Sequence, residues 1–126
     1  MKRDMGLVRK LLLHIEEHQV SSSLQSTAIA IDGYNSLELE YHLRLMVEAN
    51  LIDYSVDTTS HDDARAGRIF SCIIRGITWE GHDLLDAIRN DTVWSRTLEK
   101  IKPLESVAVD VLKQVAVGIS LKILGV

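Results

Sequence analysis

Two apolar runs, LIDYSV (51–56) and IFSCII (69–74), limit the fold more than any other feature of the chain. They are held apart by the wholly polar DTTSHDDARAGR (57–68). In the first run Ile52, Tyr54 and Val56 alternate with Asp53, Ser55 and Asp57, the period of a half-buried strand. The stretch between the runs has one glycine and no periodicity, so it reads as a long exposed loop. The second run is then the returning strand of a hairpin.

Helical patterns flank this hairpin on both sides. Asp4 is placed to cap a first helix reaching about His18, with Val8, Leu11, Leu12 and Ile15 at the three-and-four spacing of one buried stripe. SSSLQS (21–26) breaks the pattern, because serines bond their own backbone. TAIAI (27–31) is short, apolar and partly β-branched, which predicts a strand, and DGYN after it is turn chemistry. From Asn35 or Ser36 a second helix runs to about Asn50. Leu39, His42, Leu43, Met46 and Val47 form its inner face, and Asn50 suits a left-handed cap.

After the hairpin, Thr78 sits where an N-cap belongs, Glu80 and Asp83 favour the helix dipole, and Leu84, Leu85 and Ile88 supply an apolar side. Asn90 and Asp91 reset the chain. Val93, Trp94, Leu98 and Ile101 mark a further short helix that Pro103 closes. The tail, LESVAVDVLKQVAVGISLKILGV, is apolar over most of a helical circumference, with Asp110, Lys113 and Ser120 on the leftover side. That pattern predicts burial on two sides, against its own domain and against a second subunit. Its longest charge-free interior run, Gln114 to Leu121, is far short of the roughly twenty residues a membrane span needs.

The order of elements predicts an α+β fold. A winged helix-turn-helix-like domain would occupy residues 1–91 with the hairpin as its wing, and a helical extension, 92–126, would pack on it and mediate dimerisation. At 126 residues such a chain can hold a core without disulfides or metal. Its single cysteine, Cys72, excludes an intramolecular disulfide and fits a reducing cytoplasm. MKRDMGLVRK contains no apolar leader segment, so a cytoplasmic location is expected. The formal net charge of −4 counts against a nucleic-acid partner, although a local basic patch is compatible with it.

The stretch Ile77-Thr78-x-x-Gly81-x-x-x-Leu85 resembles the strand-to-helix junction that follows the wing in many bacterial winged-helix regulators, with a capping Thr and a small residue allowing close packing. Three longer blocks are more particular: MKRDMGLVRKLLLHIEEH, IDGYNSLELEYHLRLMVEANLID and ITWEGHDLLDAIRNDTVWSRTLEKIK. They are similar to an uncharacterised family of bacterial and prophage proteins catalogued as domain of unknown function 2513, and TWEGHDLLDAIRNDTVW is the most specific part. The resemblance implies a small cytoplasmic, winged-helix-like protein with no assigned reaction.

Four groups of residues bear on function. His14, Glu17 and His18 spell His-x-x-Glu-His, the inverted zinc-protease signature. A hydrolase of that kind also needs a third protein ligand and an open position for water. His42 and His61 are candidates that nothing in the sequence places nearby, so the reading preferred is two boundary histidines on a core helix, with a metal-dependent hydrolase as a distant alternative. Cys72, between Phe70 and Ile74 on an apolar strand, reads as a core residue rather than a nucleophile. Arg65 and Arg68 in the loop, with Lys2, Arg3 and Arg44, are the candidate nucleic-acid contacts. The outward face of the second helix carries Leu37, Glu40, Tyr41, Arg44, Leu45 and Glu48. Leu37, Tyr41 and Leu45 recur at four-residue spacing there, and an apolar stripe of that kind is expected to cover another part of the chain, such as the C-terminal segment, a second copy, or a partner. The functional expectation is a non-catalytic regulatory or adaptor protein that binds an unidentified protein partner through Leu37, Tyr41, Arg44 and Leu45. A DNA-binding regulator is the alternative. No catalytic residue, cofactor or metal is assigned, and no membrane.

Overall fold

Asp4 opens the first helix through its side chain. Its Oδ1 accepts from the backbone N–H groups of Gly6 (2.9 Å) and Leu7 (3.2 Å), which satisfies two of the donors that a helix start leaves open. The structure, a computed structural model, describes residues 1–18, 24–56 and 72–126. It divides into two units, Met1–His82 and Asp83–Val126. Among the described residues the architecture is α+β, with five α-helices and a three-stranded antiparallel sheet.

In the first unit α1 (Met5–His18) buries Leu7, Val8, Leu11, Leu12 and Ile15, the stripe expected from its spacing plus Leu7. The strand anticipated at 27–31 lies earlier. β1 is Leu24–Gln25, and Ser26–Ala28 form a 3-10 turn. The reason is a side chain. Ser26 is buried and its Oγ accepts from the Cys72 N–H (2.9 Å), so a hydroxyl takes over the bond a continuing strand would have made. The turn after it is as expected, with the Tyr34 N–H donating to the Ile31 carbonyl and Gly33 at φ 88°.

α2 (Ser36–Glu48) starts in a reciprocal capping box: Asn35 Oδ1 accepts from the Glu38 N–H (2.9 Å) and Glu38 Oε1 from the Asn35 N–H (3.2 Å). It ends with Asn50 at φ 58°, the left-handed position anticipated for it. The chain passes at once into β2 (Ile52–Val56), which pairs with β3 (Cys72–Ile77), and β1 pairs with the other edge of β3, giving the order β1-β3-β2. Asp53 faces Gly76 while Tyr54 faces Ile74, so Arg75 is an extra residue in β3. Ile52 is buried as alternation requires, but Tyr54 is 37% exposed, at the point where this bulge interrupts the ladder. Phe70, the loop residues Arg65 and Arg68, and His61 lie outside the described residues.

The passage from β3 into α3 (Trp79–Ile88) explains one small residue. Thr78 Oγ1 accepts from the Gly81 N–H (3.0 Å) and donates to the Asn50 carbonyl, while the Thr78 N–H donates to the Leu51 carbonyl (3.1 Å). A Cβ on Gly81 would fall on the Leu51 carbonyl oxygen and 2.6 Å from Ile77 Cγ2. Backbone there cannot yield, so the position demands glycine.

In the second unit the end of α3 buries Leu84, Leu85 and Ile88. Asn90 caps α4 (Asp91–Ile101), its Oδ1 accepting from the Thr92 (2.9 Å) and Val93 (3.1 Å) N–H groups. The buried face of α4 is Val93, Trp94 and Thr97; Leu98, expected inside, is 42% exposed. Thr97 replaces it because its hydroxyl donates to the Val93 carbonyl (2.7 Å) and so enters the interior with its hydrogen bond made. Pro103 lies in a 3-10 turn, Lys102–Leu104, directly after α4. The tail is helical: α5 (Val109–Leu124) buries Leu112, Ala116 and Ile119, and Gly125 closes it at φ 76°. Val111, Val117 and Leu121 are exposed, as are Ile123 and Leu124 near its end. Among the described residues no helix is long and apolar enough to cross a membrane.

Candidate functional site

The outward side of α2 is less open than its four-residue spacing suggests. Leu37 is 45% exposed, but Tyr41 and Leu45 are half-buried, and Glu40, expected outside, is buried. The face that meets solvent is thus narrower and is centred on Leu37, Tyr41, Arg44 and Glu48. Arg44 lies with its guanidinium 5.5 Å from the centroid of the Tyr41 ring, and its Nε is 3.8 Å from Glu48 Oε1 one turn on. That separation is an ion pair and is too long for a hydrogen bond. Arg44 Nε is shielded from solvent and makes no hydrogen bond among the described residues.

A second feature of α2 joins it to the chain start. His42 is buried, and its two ring nitrogens meet opposite partners. Nε2 accepts from the Asp4 N–H (2.8 Å) and Nδ1 lies 2.8 Å from the Glu38 carbonyl. A backbone N–H can only donate and a carbonyl can only accept, so the ring is neutral with its hydrogen on Nδ1. Asp4 Oδ2 then accepts from the Tyr34 hydroxyl (3.1 Å), and Lys10 Nζ stands 5.4 Å from the centroid of the Tyr34 ring. Partial burial, followed by the neighbouring Asp4 carboxylate, pushes the Tyr34 phenol above its ordinary 10.0. Asp4 was legible as a cap and His42 as an inner-face residue. Their bond, spanning 38 positions, was not.

The N-terminal cations adjoin this bond in the chain. Lys2 and Arg3 are exposed and directly precede a residue anchored on α2. Of the five candidate nucleic-acid contacts, Arg44 lies on α2 and Lys2 and Arg3 directly precede the residue bonded to His42, while Arg65 and Arg68 fall outside the described residues.

His14 and His18 stack one turn apart on α1, with ring centroids 4.0 Å apart and planes inclined by 19°. His18 Nδ1 is 2.9 Å from the His14 carbonyl. Burial first, and then the neighbouring His18, lower the His14 pKa from its ordinary 6.5, with Glu17 opposing. Among the described residues no three His, Cys, Asp or Glu side chains gather closely enough to hold a metal ion together. His42, one proposed third ligand, has both nitrogens engaged elsewhere. Cys72 is buried in β3, as expected for a core residue.

The profile of a family described as "Hypothetical protein (DUF2513)" matches residues 2–108. A protein of Haemophilus influenzae titled "Uncharacterized protein" is 39% identical over 119 residues, covering 92% of this chain and 92% of its own length. No solved structure matches the chain. A match over most of the sequence, including all three blocks read above, leaves one conclusion: the chain belongs to the DUF2513 family.

Proposed function

We propose that the protein is a non-catalytic regulatory or adaptor module of bacterial or prophage type, acting by protein–protein contact on a winged helix-turn-helix-like scaffold. The scaffold reading is supported by the strand order β1-β3-β2, with α1 before β1 and α2 running straight into β2. In such an arrangement α2 is the helix offered to a partner. The single observation that carries the protein-binding reading is the state of Arg44. It leans on Tyr41 and pairs with Glu48, beside an exposed Leu37. A helix that reads DNA presents its cations to phosphate or guanine; here the cation is partly neutralised within its own face, and an apolar residue stands beside it.

Leu37→Asp tests this reading. The substitution is expected to abolish capture of a protein partner and leave the thermal midpoint nearly unchanged, since Leu37 is exposed. The DNA alternative predicts something different: retardation of random duplex at low salt, with a steep salt dependence that substituting Lys2, Arg3 and Arg44 flattens. Observing that behaviour would replace the protein reading.

Self-association belongs to the same proposal. Val117, Leu121 and Leu124 recur at helical spacing on a side of α5 opposite Leu112, Ala116 and Ile119, and all three are exposed. A second copy of this chain is the occupant proposed for that side. Light scattering is expected to give a dimer mass that Leu121→Glu reduces to that of the monomer; a monomeric wild-type chain rejects it.

A further inference from the structure

We propose, resting on the self-association proposed above, that the second copy lies antiparallel on α5, the two helices crossing at the level of Ala116 so that Gln114 of each chain enters the gap left by Gly118 of the other. One glycine on α5 has no cause within its own chain. Gly118 stands in the interior of a 16-residue helix, where glycine is less favourable than alanine because it loses more backbone freedom on folding. It is exposed, and a Cβ on it would meet nothing within 4 Å. Gly81 is the contrast, since there the fold's own backbone forbids a side chain. A bare position that nothing inside the chain requires is accounted for by a close approach from outside it.

The surface around Gly118 is a groove of about 440 Å³ whose walls include Asp110, Gln114, Val117 and Leu121. All four are exposed, as are Val111 and Lys122. Six of these residues fall into pairs placed symmetrically about Ala116. Gln114 and Gly118 lie two positions to either side of it, Val111 and Leu121 five, and Asp110 and Lys122 six. Two copies of α5 crossing antiparallel at Ala116 therefore bring the members of each pair to the same height. The Gln114 side chain fits where Gly118 has none, the Val111 and Leu121 side chains close over the apolar part, and Asp110 meets the partner subunit's Lys122. A two-fold axis makes every such contact twice.

Charge selects this orientation over the parallel one. Lys113 is already engaged, its Nζ 3.9 Å from Asp83 Oδ2. Asp110 and Lys122 have no ion pair among the described residues. A parallel pair would set acid beside acid and base beside base, whereas the antiparallel pair sets acid beside base at both ends and opposes the two helix dipoles.

The test combines mass in solution with cross-linking of full-length chains that carry one introduced cysteine. The wild-type chain is expected to be a dimer. Gly118→Leu should raise its dissociation constant at least about tenfold, the scale of overpacking a close contact, with helical circular dichroism retained because leucine favours a helix over glycine. A short bismaleimide should link Asp110→Cys chains to Lys122→Cys chains when the two are mixed. It should link neither variant to itself, because equal positions on the antiparallel helices lie about 18 Å apart along the axis. The wild-type chain, whose Cys72 is buried, is the control. This second measurement leaves Gly118 untouched. A monomeric wild-type chain removes self-association and this geometry together. A dimer unmoved by Gly118→Leu, or one whose copies link within a single variant or fail to link in the mixture, leaves self-association standing and overturns the antiparallel arrangement.

Discussion

α2 and α5 differ in the opposite sense to their composition. α2 buries five of its thirteen residues, and two of those five, Glu40 and His42, are polar. α5 is the more apolar helix, yet it buries three of sixteen and leaves Val117, Leu121 and Leu124 in solvent. Burial is therefore decided by what lies opposite a helix, not by how apolar the helix is. Around α2 the partners are already in place: the Asp4 N–H and the Glu38 carbonyl accommodate an imidazole that would otherwise be expensive to bury. α5 has one covered side and one uncovered side, and its apolar excess lies on the second.

The largest effect expected from this contrast is at Leu43, which is wholly buried on α2. Leu43→Ala should cost about 3 kcal/mol in denaturant unfolding, by the usual cost of a leucine-sized cavity. A cost below about 1 kcal/mol would mean that the inner side of α2 is no better packed than the outer side of α5. His42→Phe comes next. It keeps the volume but leaves the Asp4 N–H and the Glu38 carbonyl without their ring partner, and about 2 kcal/mol is expected. Equal stability would show that these bonds are not what admits the ring.

On α5 the expectation is reversed. Leu121→Glu should change the unfolding free energy of the isolated chain by less than about 0.5 kcal/mol, the ordinary range for surface substitutions. A loss like that at Leu43 would place Leu121 in a core and end the comparison. The smallest effect belongs to pH. Tyr34 is held protonated beside Asp4, its folded value raised above the 10.0 of the unfolded chain. The stability this contributes is complete below pH 10 and drains as pH rises through the raised value. Tyr34→Phe should flatten that alkaline loss in thermal melts run between pH 8 and about 11; an unchanged slope would exclude Tyr34 as its source.

Much of the fold is legible wherever a signal and its effect sit within a few residues of one another. Asp4, Thr78 and Asn50 act where their chemistry places them, and the α1 stripe and the entry into β2 follow from spacing. Gly81 is a further case, since its role as the small residue at a close approach is written in the block around it, though the Leu51 carbonyl that enforces it is not. Legibility fails where the deciding partner is distant. TAIAI has the composition of a strand but loses its ladder to the Ser26 hydroxyl. Tyr54 follows the alternation but meets a bulge created by Arg75 in another strand. Leu98 belongs to an apolar pattern, yet Thr97 is the residue taken inside.

The candidate surface divides in the same way. Helical periodicity grouped Leu37, Tyr41, Arg44 and Leu45 on one side of α2, but of these Leu37 alone is exposed, and Tyr41 and Leu45 are half-buried. It could not show that Glu40 is buried or that Arg44 rests on Tyr41 and Glu48. Likewise the His-x-x-Glu-His order places two imidazoles on one face of α1, while the stacking distance and the contact of His18 Nδ1 with the His14 carbonyl come from the folded helix.

By itself the sequence determined the local conformations: where helices begin and end, which stripe of α1 is apolar, and that the class is α+β, because backbone preferences, caps and periodicity act over a few residues. Only the tertiary structure decided the order of the strands, the bond that ties Asp4 to His42, and which apolar side of α5 is left uncovered. Those depend on groups far apart in the chain, and the free energy of burying a side chain is defined only once the atoms around it are in place.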